Sequence, residues 1–285
     1  MGGRNRSAFQ DRYNGLLTGS EPLRLAGGSP QEHREGETHI VRRAGATPAG
    51  FHPSIILSLG SQVFRQYTDK AFEIVTKTKP VVPWMKWREI EVIQEILTRL
   101  RPRRCLEWGS GYSTAYFPRF IPSYAEWISV EHDESWAGAM GALNRNPKVR
   151  LTHIPPDRFP FSDALGEGTG DDLRSYVKYP EQKGSFDFVL VDGRARMDCV
   201  AQAATILDPQ GVMIMHDANR AMYAKSSNAF HHQILFSDHR TDTGGLWICS
   251  IGRSLDSILD IERHGRLWSL YTLIGKTPAG RLLRV

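Results

Sequence analysis

Arg104-Cys105-Leu106-Glu107-Trp108-Gly109-Ser110-Gly111-Tyr112-Ser113 is a short apolar run closed by an acid, two glycines and the first residues of a helical pattern. A glycine-rich turn between a strand and its helix lets a ligand approach the backbone and meet the positive end of the helix. The next apolar run, Trp127-Ile128-Ser129-Val130, ends on Glu131. An acid at that distance, roughly 20 residues on, can accept hydrogen bonds from both hydroxyls of a ribose.

Outward from this turn the pattern is rhythmic. Strands are expected at 127–130, 149–154, 186–191 and 212–215, with helices at 112–120, 134–144 and 197–207 between them. Such alternation implies a parallel sheet with right-handed crossovers. Two further runs, His232 to Phe236 and Gly245 to Ile251, are joined by a polar turn and suit an antiparallel pair. A short helix is expected near Arg220, and Ser254 to His264 and Leu267 to Ile274 read as C-terminal helices. Upstream, apolar residues at helical spacing predict helices at 55–76 and 86–100, and Pro80-Val81-Val82-Pro83-Trp84 between them is a connector placed to cover the site. The fold class expected is therefore α/β and doubly wound. A mainly parallel seven-stranded sheet carries an antiparallel C-terminal pair and is preceded by N-terminal helices. The organisation expected is a tail at 1–53, a helical segment at 54–100, the principal domain at 101–253 and a helical tail at 254–285.

A chain of 285 residues with 40% hydrophobic content can bury one full α/β core. Its formal charge of +5 is modest and spread along the sequence, which does not single out nucleic acid as partner. The three cysteines lack metal-ligand spacing and fall in core segments, so buried thiols in a reducing compartment are expected. No apolar run reaches the length of a membrane span, and the first thirty residues have no apolar signal region, so a cytoplasmic location is expected. The Gly-, Arg-, Ser- and Pro-rich stretch 1–53 holds little to bury. Asp157 to Lys183 reads as a long loop with a short helical segment near 171–179, and loops of that length are often functional.

Two more strands end in acids. Phe186 to Val191 runs into Asp192-Gly193-Arg194, and Val212 to Met215 into His216-Asp217. Ligands of open parallel sheets bind beyond the carboxyl ends of the strands, so Asp192, His216 and Asp217 are the catalytic candidates. His216 can serve as a base near neutral pH, oriented by the two aspartates. Arg194, Arg196 and Arg220, just past these ends, could clamp an acidic substrate. Competing structural roles are a turn residue for Asp192, a helix cap for Asp217 and a packed ring for His216. Asp133 reads as the N-cap of the helix beginning at Glu134.

Nicotinamide- and adenosylmethionine-binding folds share the glycine turn and the strand-end acid. The dinucleotide fingerprint needs a third glycine at position 114, where this chain has Thr114. Glu107-x-Gly109-x-Gly111 instead resembles the acidic first motif of class I S-adenosylmethionine-dependent methyltransferases, and Ser129-Val130-Glu131-His132 resembles their second. The resemblance spans roughly Arg103 to Arg253. It implies S-adenosylmethionine as cofactor, held by Glu107, Gly109, Ser110, Gly111, Ser113, Glu131 and His132. It also implies O-methylation of a small-molecule or sugar hydroxyl at Asp192, His216 and Asp217. The paired acids are similar to those of catechol and caffeoyl-coenzyme-A O-methyltransferases, where they hold a divalent ion such as Mg²⁺. Those enzymes follow the second acid with Asn, and Ala218 stands here. A metal at Asp192 and Asp217 therefore stays open. The Asn/Asp-Pro-Pro-Tyr/Phe segment of base-methylating enzymes is missing after the fourth strand, so nucleic acid is not the expected acceptor. A nicotinamide-dependent oxidoreductase and a non-catalytic cofactor-binding module are the alternatives.

Overall fold

Phe186-Asp187-Phe188-Val189-Leu190-Val191 carries apolar residues on both sides of its pleat, and only a strand covered on both faces can bury them all. The computed structural model, which describes residues 42–43, 53–78, 80–237 and 243–275, places this segment at the centre of a sheet. In chain order the strands are β1 (Arg42–Arg43), β2 (Arg104–Trp108), β3 (Glu126–Glu131), β4 (Val149–His153), β5 (Phe186–Val191), β6 (Leu207–His216), β7 (His232–Phe236) and β8 (Leu246–Ser250). Across the sheet they run β1-β7-β8-β6-β5-β2-β3-β4. β8 is antiparallel to both neighbours, β6 and β7, and all other pairings are parallel. β2 to β8 form the expected mainly parallel seven-stranded sheet with its antiparallel C-terminal pair, and β1 adds a two-residue edge strand. The rest of the expected tail, apart from Pro53, lies outside the described residues.

The helices are α1 (Pro53–Thr76), α2 (Trp87–Leu100), α3 (Tyr112–Tyr116), α4 (Glu134–Leu143), α5 (Arg174–Lys178), α6 (Arg196–Ile206) and α7 (Ile261–Gly275). Cys105, Phe188, Leu190, Val212 and Ile214 point to one face of the sheet, where Ile90, Ile93, Ile96 and Leu97 of α2 complete the core. Leu106, Trp108, Val189, Val191, Met213 and Met215 point to the other, against Cys199, Val200 and Ala203 of α6. All three cysteines are free and buried. α2 stops at Arg101, in the left-handed region at φ 52°, directly before Pro102.

Two expected elements differ. The C-terminal helix pair is instead a 3-10 turn at Leu255–Ser257 and the single helix α7. Glu95 of α2 fixes that helix's start by accepting from Asp260 N (2.9 Å) and binding the fully buried His264 (2.8 Å), so the helix runs unbroken through Gly265. Near Arg220 the chain makes successive turns rather than a helix, because Asp217 has φ 61°, whereas an N-cap needs extended backbone.

Register sets the site. Val130, Trp108, Val191 and Met215 are partners across β3, β2, β5 and β6, so the next residues, Glu131, Gly109, Asp192 and His216, form one rim at the carboxyl end of the sheet. Gly109 has φ 91°, and a Cβ there would lie 2.4 Å from Gly193 Cα. The two glycines let the β2 and β5 ends touch, with Asp192 N donating to Trp108 O at 2.9 Å. Gly109→Ala meets both a left-handed backbone and a backbone clash, and is expected to cost about 3 kcal/mol or more in urea-induced unfolding.

Candidate active site

The glycine turn is anchored by a buried carboxylate. Glu107 is completely enclosed, and its oxygens accept from Ser113 Oγ (2.6 Å), Thr114 Oγ1 (2.7 Å) and Trp127 Nε1 (2.9 Å). Burial pushes its pKa up to about 7, although these donors favour the charged form and offset part of that effect. Thr114 occupies the place of the missing third glycine, where its hydroxyl also accepts from Gly111 N at 3.0 Å. Glu131 ties the turn to α4. Oε2 accepts from Ser110 N (2.9 Å) and Ser110 Oγ (3.1 Å), and Oε1 from the amides of His132 (2.8 Å) and Asp133 (2.9 Å). His132 Nδ1 lies 2.7 Å from Glu131 Oε1, and its ring rests near Phe161 and Tyr176. Asp133 caps α4 as expected, accepting from Trp136 N at 2.8 Å.

Gly111 differs from Gly109. Its φ of −172° is extended, and a Cβ there would meet nothing nearer than Ser113 Oγ at 3.5 Å. The fold itself leaves room at this position. Trp84 of the connector lies over the turn, 5.7 Å from the Tyr112 ring and 5.5 Å from that of Trp136, whose Nε1 donates to Ser110 O. The connector expected to cover the site thus places Trp84 against the glycine turn.

Beside this turn, the acids and the histidine of β5 and β6 meet. His216 is buried, with Nδ1 2.9 Å from Asp192 Oδ1 and Nε2 3.3 Å from Glu89 Oε2. These carboxylates raise its pKa well above the ordinary range despite the opposing effect of burial. Both ring nitrogens of His216, the expected base, thus face carboxylates that favour its charged form. Asp217 accepts from Gly244 N at 2.6 Å and pairs with Arg220 at 2.9 Å. Its neighbours His216, Arg196 and Arg220 hold its carboxyl well below the ordinary range, although burial opposes them.

Arg196 lies between the two aspartates, with Nη2 3.3 Å from Asp192 Oδ1 and 3.6 Å from Asp217 Oδ2. Glu167, from the long loop, faces Arg194, Arg196 and Arg220 together. The arginines expected to clamp a substrate therefore grip an acid of the chain. Four carboxylates (Glu89, Glu167, Asp192, Asp217) are interleaved with three guanidiniums and the His216 ring, and the charge of Lys86 acts on Glu89 as well.

All ten residues singled out in the sequence thus fall on this rim or its turn. Glu89, Glu167 and Tyr223 were not anticipated. Glu89 sits in the first turn of an amphipathic helix and Glu167 inside a loop, and neither has a spacing signature. A divalent ion at Asp192 and Asp217 would have to share its position with Arg196 Nη2 and His216 Nδ1, whereas Mg²⁺ needs near-octahedral oxygen ligands. Among the described residues, no group of three or more His, Cys, Asp or Glu is arranged to hold a metal. The side chains present do not fit the ion. No helix among them is long and apolar enough to cross a membrane.

No protein-family model and no curated protein matches the chain in sequence. Solved structures resemble it in fold. A methyltransferase-like protein from Silicibacter pomeroyi is 22% identical, with 65% of this chain and 97% of that one covered at a TM-score of 0.42. The O-methyltransferase TomG from Streptomyces achromogenes, in complex with SAM, is 15% identical over 71% and 92% at 0.39. An O-methyltransferase from Bacillus cereus, in complex with SAH, is 15% identical over 67% and 90% at 0.41.

The Glu107 carboxyl carries a pH signature. Its folded value of about 7 lies above the ordinary 4.5, so between these values the folded chain binds more protons than the unfolded one. The stability due to this group is complete below 4.5 and is lost as pH rises through 7. Over that window Glu107→Gln is expected to gain on the wild type by about 3 kcal/mol in unfolding free energy. A gap that is the same at both ends of the window contradicts the assignment.

Proposed function

We propose that the chain is an S-adenosylmethionine-dependent methyltransferase acting on a hydroxyl of a small-molecule or sugar acceptor. The observation that carries this is the space at Gly111. The glycine turn is braced by Glu107 and Glu131, yet it is open at the one glycine the fold does not need. A cofactor can approach the main chain there and meet the first amides of α3.

Bound adenosylmethionine supplies a methyl group on a sulfonium that is already a good leaving group. The protein's task is then to hold the acceptor in line and take its proton. Glu131 receives the ribose, with the rotatable Ser110 hydroxyl giving way to a ribose hydroxyl while the backbone amides keep the carboxylate in place. Ser110, Gly111 and Ser113 line the turn, His132 flanks it, and Trp84 and Tyr112 exclude water from it. Asp192 takes the acceptor proton. Its side chain is about a fifth exposed, the most accessible carboxylate among the four of the network, and its described partners all fall on Oδ1. His216 and Arg196 stabilise the negative charge of Asp192, and Asp217 fixes both of them. No step runs through a metal.

Incubation of the full chain with methyl-labelled adenosylmethionine and pools of sugars, phenols and hydroxy acids tests this. Label is expected in an acceptor hydroxyl and to survive chelator. Loss of label with chelator returns the metal to Asp192 and Asp217, and failure of every pool contradicts the enzymatic reading.

Gly111→Ala separates ligand space from folding. Its melting temperature is expected to stay within about 3 °C of the wild type, while adenosylmethionine affinity falls by about tenfold or more, read by calorimetry. Equal affinity contradicts the placement of the cofactor at the turn.

A further inference from the structure

Three arginines and a tyrosine converge on one carboxylate supplied by the chain itself. Arg194 Nη1 is 3.5 Å from Glu167 Oε1, Arg196 Nη1 is 3.4 Å from Oε2, and Arg220 Nη1 also pairs with Oε1. Tyr223 Oη donates to Oε2 at 2.9 Å. The four donors come from the segments that follow β5 and β6, which also carry Asp192, His216 and Asp217. Glu167 comes from elsewhere, on the long loop between β4 and β5.

That loop has the parts of a detachable plug. Glu167 lies between Gly166 at φ 66° and Gly168 at φ 74°, and nothing is within 4 Å of where a Cβ at Gly166 would stand. Asp163 accepts from the amides of Leu165 (3.1 Å), Glu167 (2.9 Å) and Gly168 (2.6 Å), so the loop tip keeps its own shape without the arginines. A single backbone bond, Ala195 N to Glu167 O at 3.0 Å, joins Glu167 to the seat besides the side-chain contacts. On the other side, Arg196 is 5% exposed and its Nε has no hydrogen-bond partner among the described residues, so Glu167 does not saturate the fork. Guanidinium forks suit planar carboxylates, and anchoring a loop needs one of them, not three.

We propose that this seat binds a carboxylate of the incoming substrate and that Glu167 is its internal stand-in, displaced when the substrate arrives. That the substrate is a methyl acceptor rests on the methyltransferase reading, whereas the seat does not. The ligand is a carboxylate rather than a phosphate monoester, because Glu167 contributes one negative charge to the three arginines. A monoanion replaces that charge like for like, and a dianion adds a second one beside Asp192 and Asp217.

The test uses the full chain, with acetate and benzoate as probes and inorganic phosphate as the dianionic comparison. Glu167→Ala empties the seat and is expected to bind the carboxylates at least about tenfold more tightly than the wild type by calorimetry, with phosphate binding neither. In the wild type, saturating benzoate is expected to speed amide hydrogen exchange at Ala195, whose N–H donates to Glu167 O, as the loop tip leaves the seat. Equal carboxylate affinity in wild type and variant, phosphate binding as tight as acetate, or unchanged exchange overturns the proposal. Should Glu167→Ala not fold, Glu167→Gln, which keeps the Tyr223 bond and drops the charge, is carried through the same titrations with the same criteria. Parallel titration of wild type with adenosylmethionine separates the two ideas. Carboxylate binding without adenosylmethionine binding removes the methyltransferase reading and keeps the seat, and the converse removes the seat alone.

Discussion

Gly109 and Gly193 touch backbone to backbone, and the placement of everything else at the rim follows from that contact. A Cβ on either would fall within 3 Å of the other's main chain. Their closeness lets β2 and β5, the two central strands at which the strand order reverses, end side by side with Asp192 N bonded to Trp108 O. Open α/β sheets bind ligands at that reversal. The glycine turn and Asp192 thus become neighbours through one steric concession, and Glu131 and His216 flank them through register alone.

Beyond the contact, electrostatics shapes the crevice. Burying charges is costly unless each is paired and hydrogen-bonded. The chain meets this by linking the four acids to Arg194, Arg196, Arg220 and His216, with Lys86 also favouring the charged form of Glu89. The same arrangement sets His216 between carboxylates that favour its charged form. Glu89 reaches it from α2, an element outside the strand ends, while also capping its own helix through Lys86 N at 2.8 Å and accepting from Gly245 N at 2.8 Å. Neutralising a buried acid with Arg196 and His216 takes the place a divalent ion would fill.

Much of this was legible in the amino-acid order, for identifiable reasons. Strands buried on both faces read as continuous apolar runs, and their acidic ends mark the rim, so Glu107, Glu131, Asp192 and His216-Asp217 could be found before any coordinates. Thr114 was legible as a departure from a dinucleotide fingerprint but not as the residue that hydrogen-bonds Glu107, since that role depends on the turn of α3. Glu89 and Glu167 were illegible because they join the site through tertiary contacts 127 and 29 residues distant, to His216 and Arg196. The second partner of His216 was illegible for the same cause, because Glu89 reaches its Nε2 from α2. The expected helix near Arg220 failed on the backbone of Asp217, whose positive φ no composition rule signals.

The central claim is that the turn at Glu107 to Ser113 holds adenosylmethionine and not a dinucleotide. Isothermal titration calorimetry of the full chain against S-adenosylmethionine, S-adenosylhomocysteine, NAD and NADH measures this directly. One equivalent of each adenosyl sulfur compound is predicted to bind, with no heat from either nicotinamide cofactor. Binding of NAD or NADH with adenosylmethionine ignored would contradict the account.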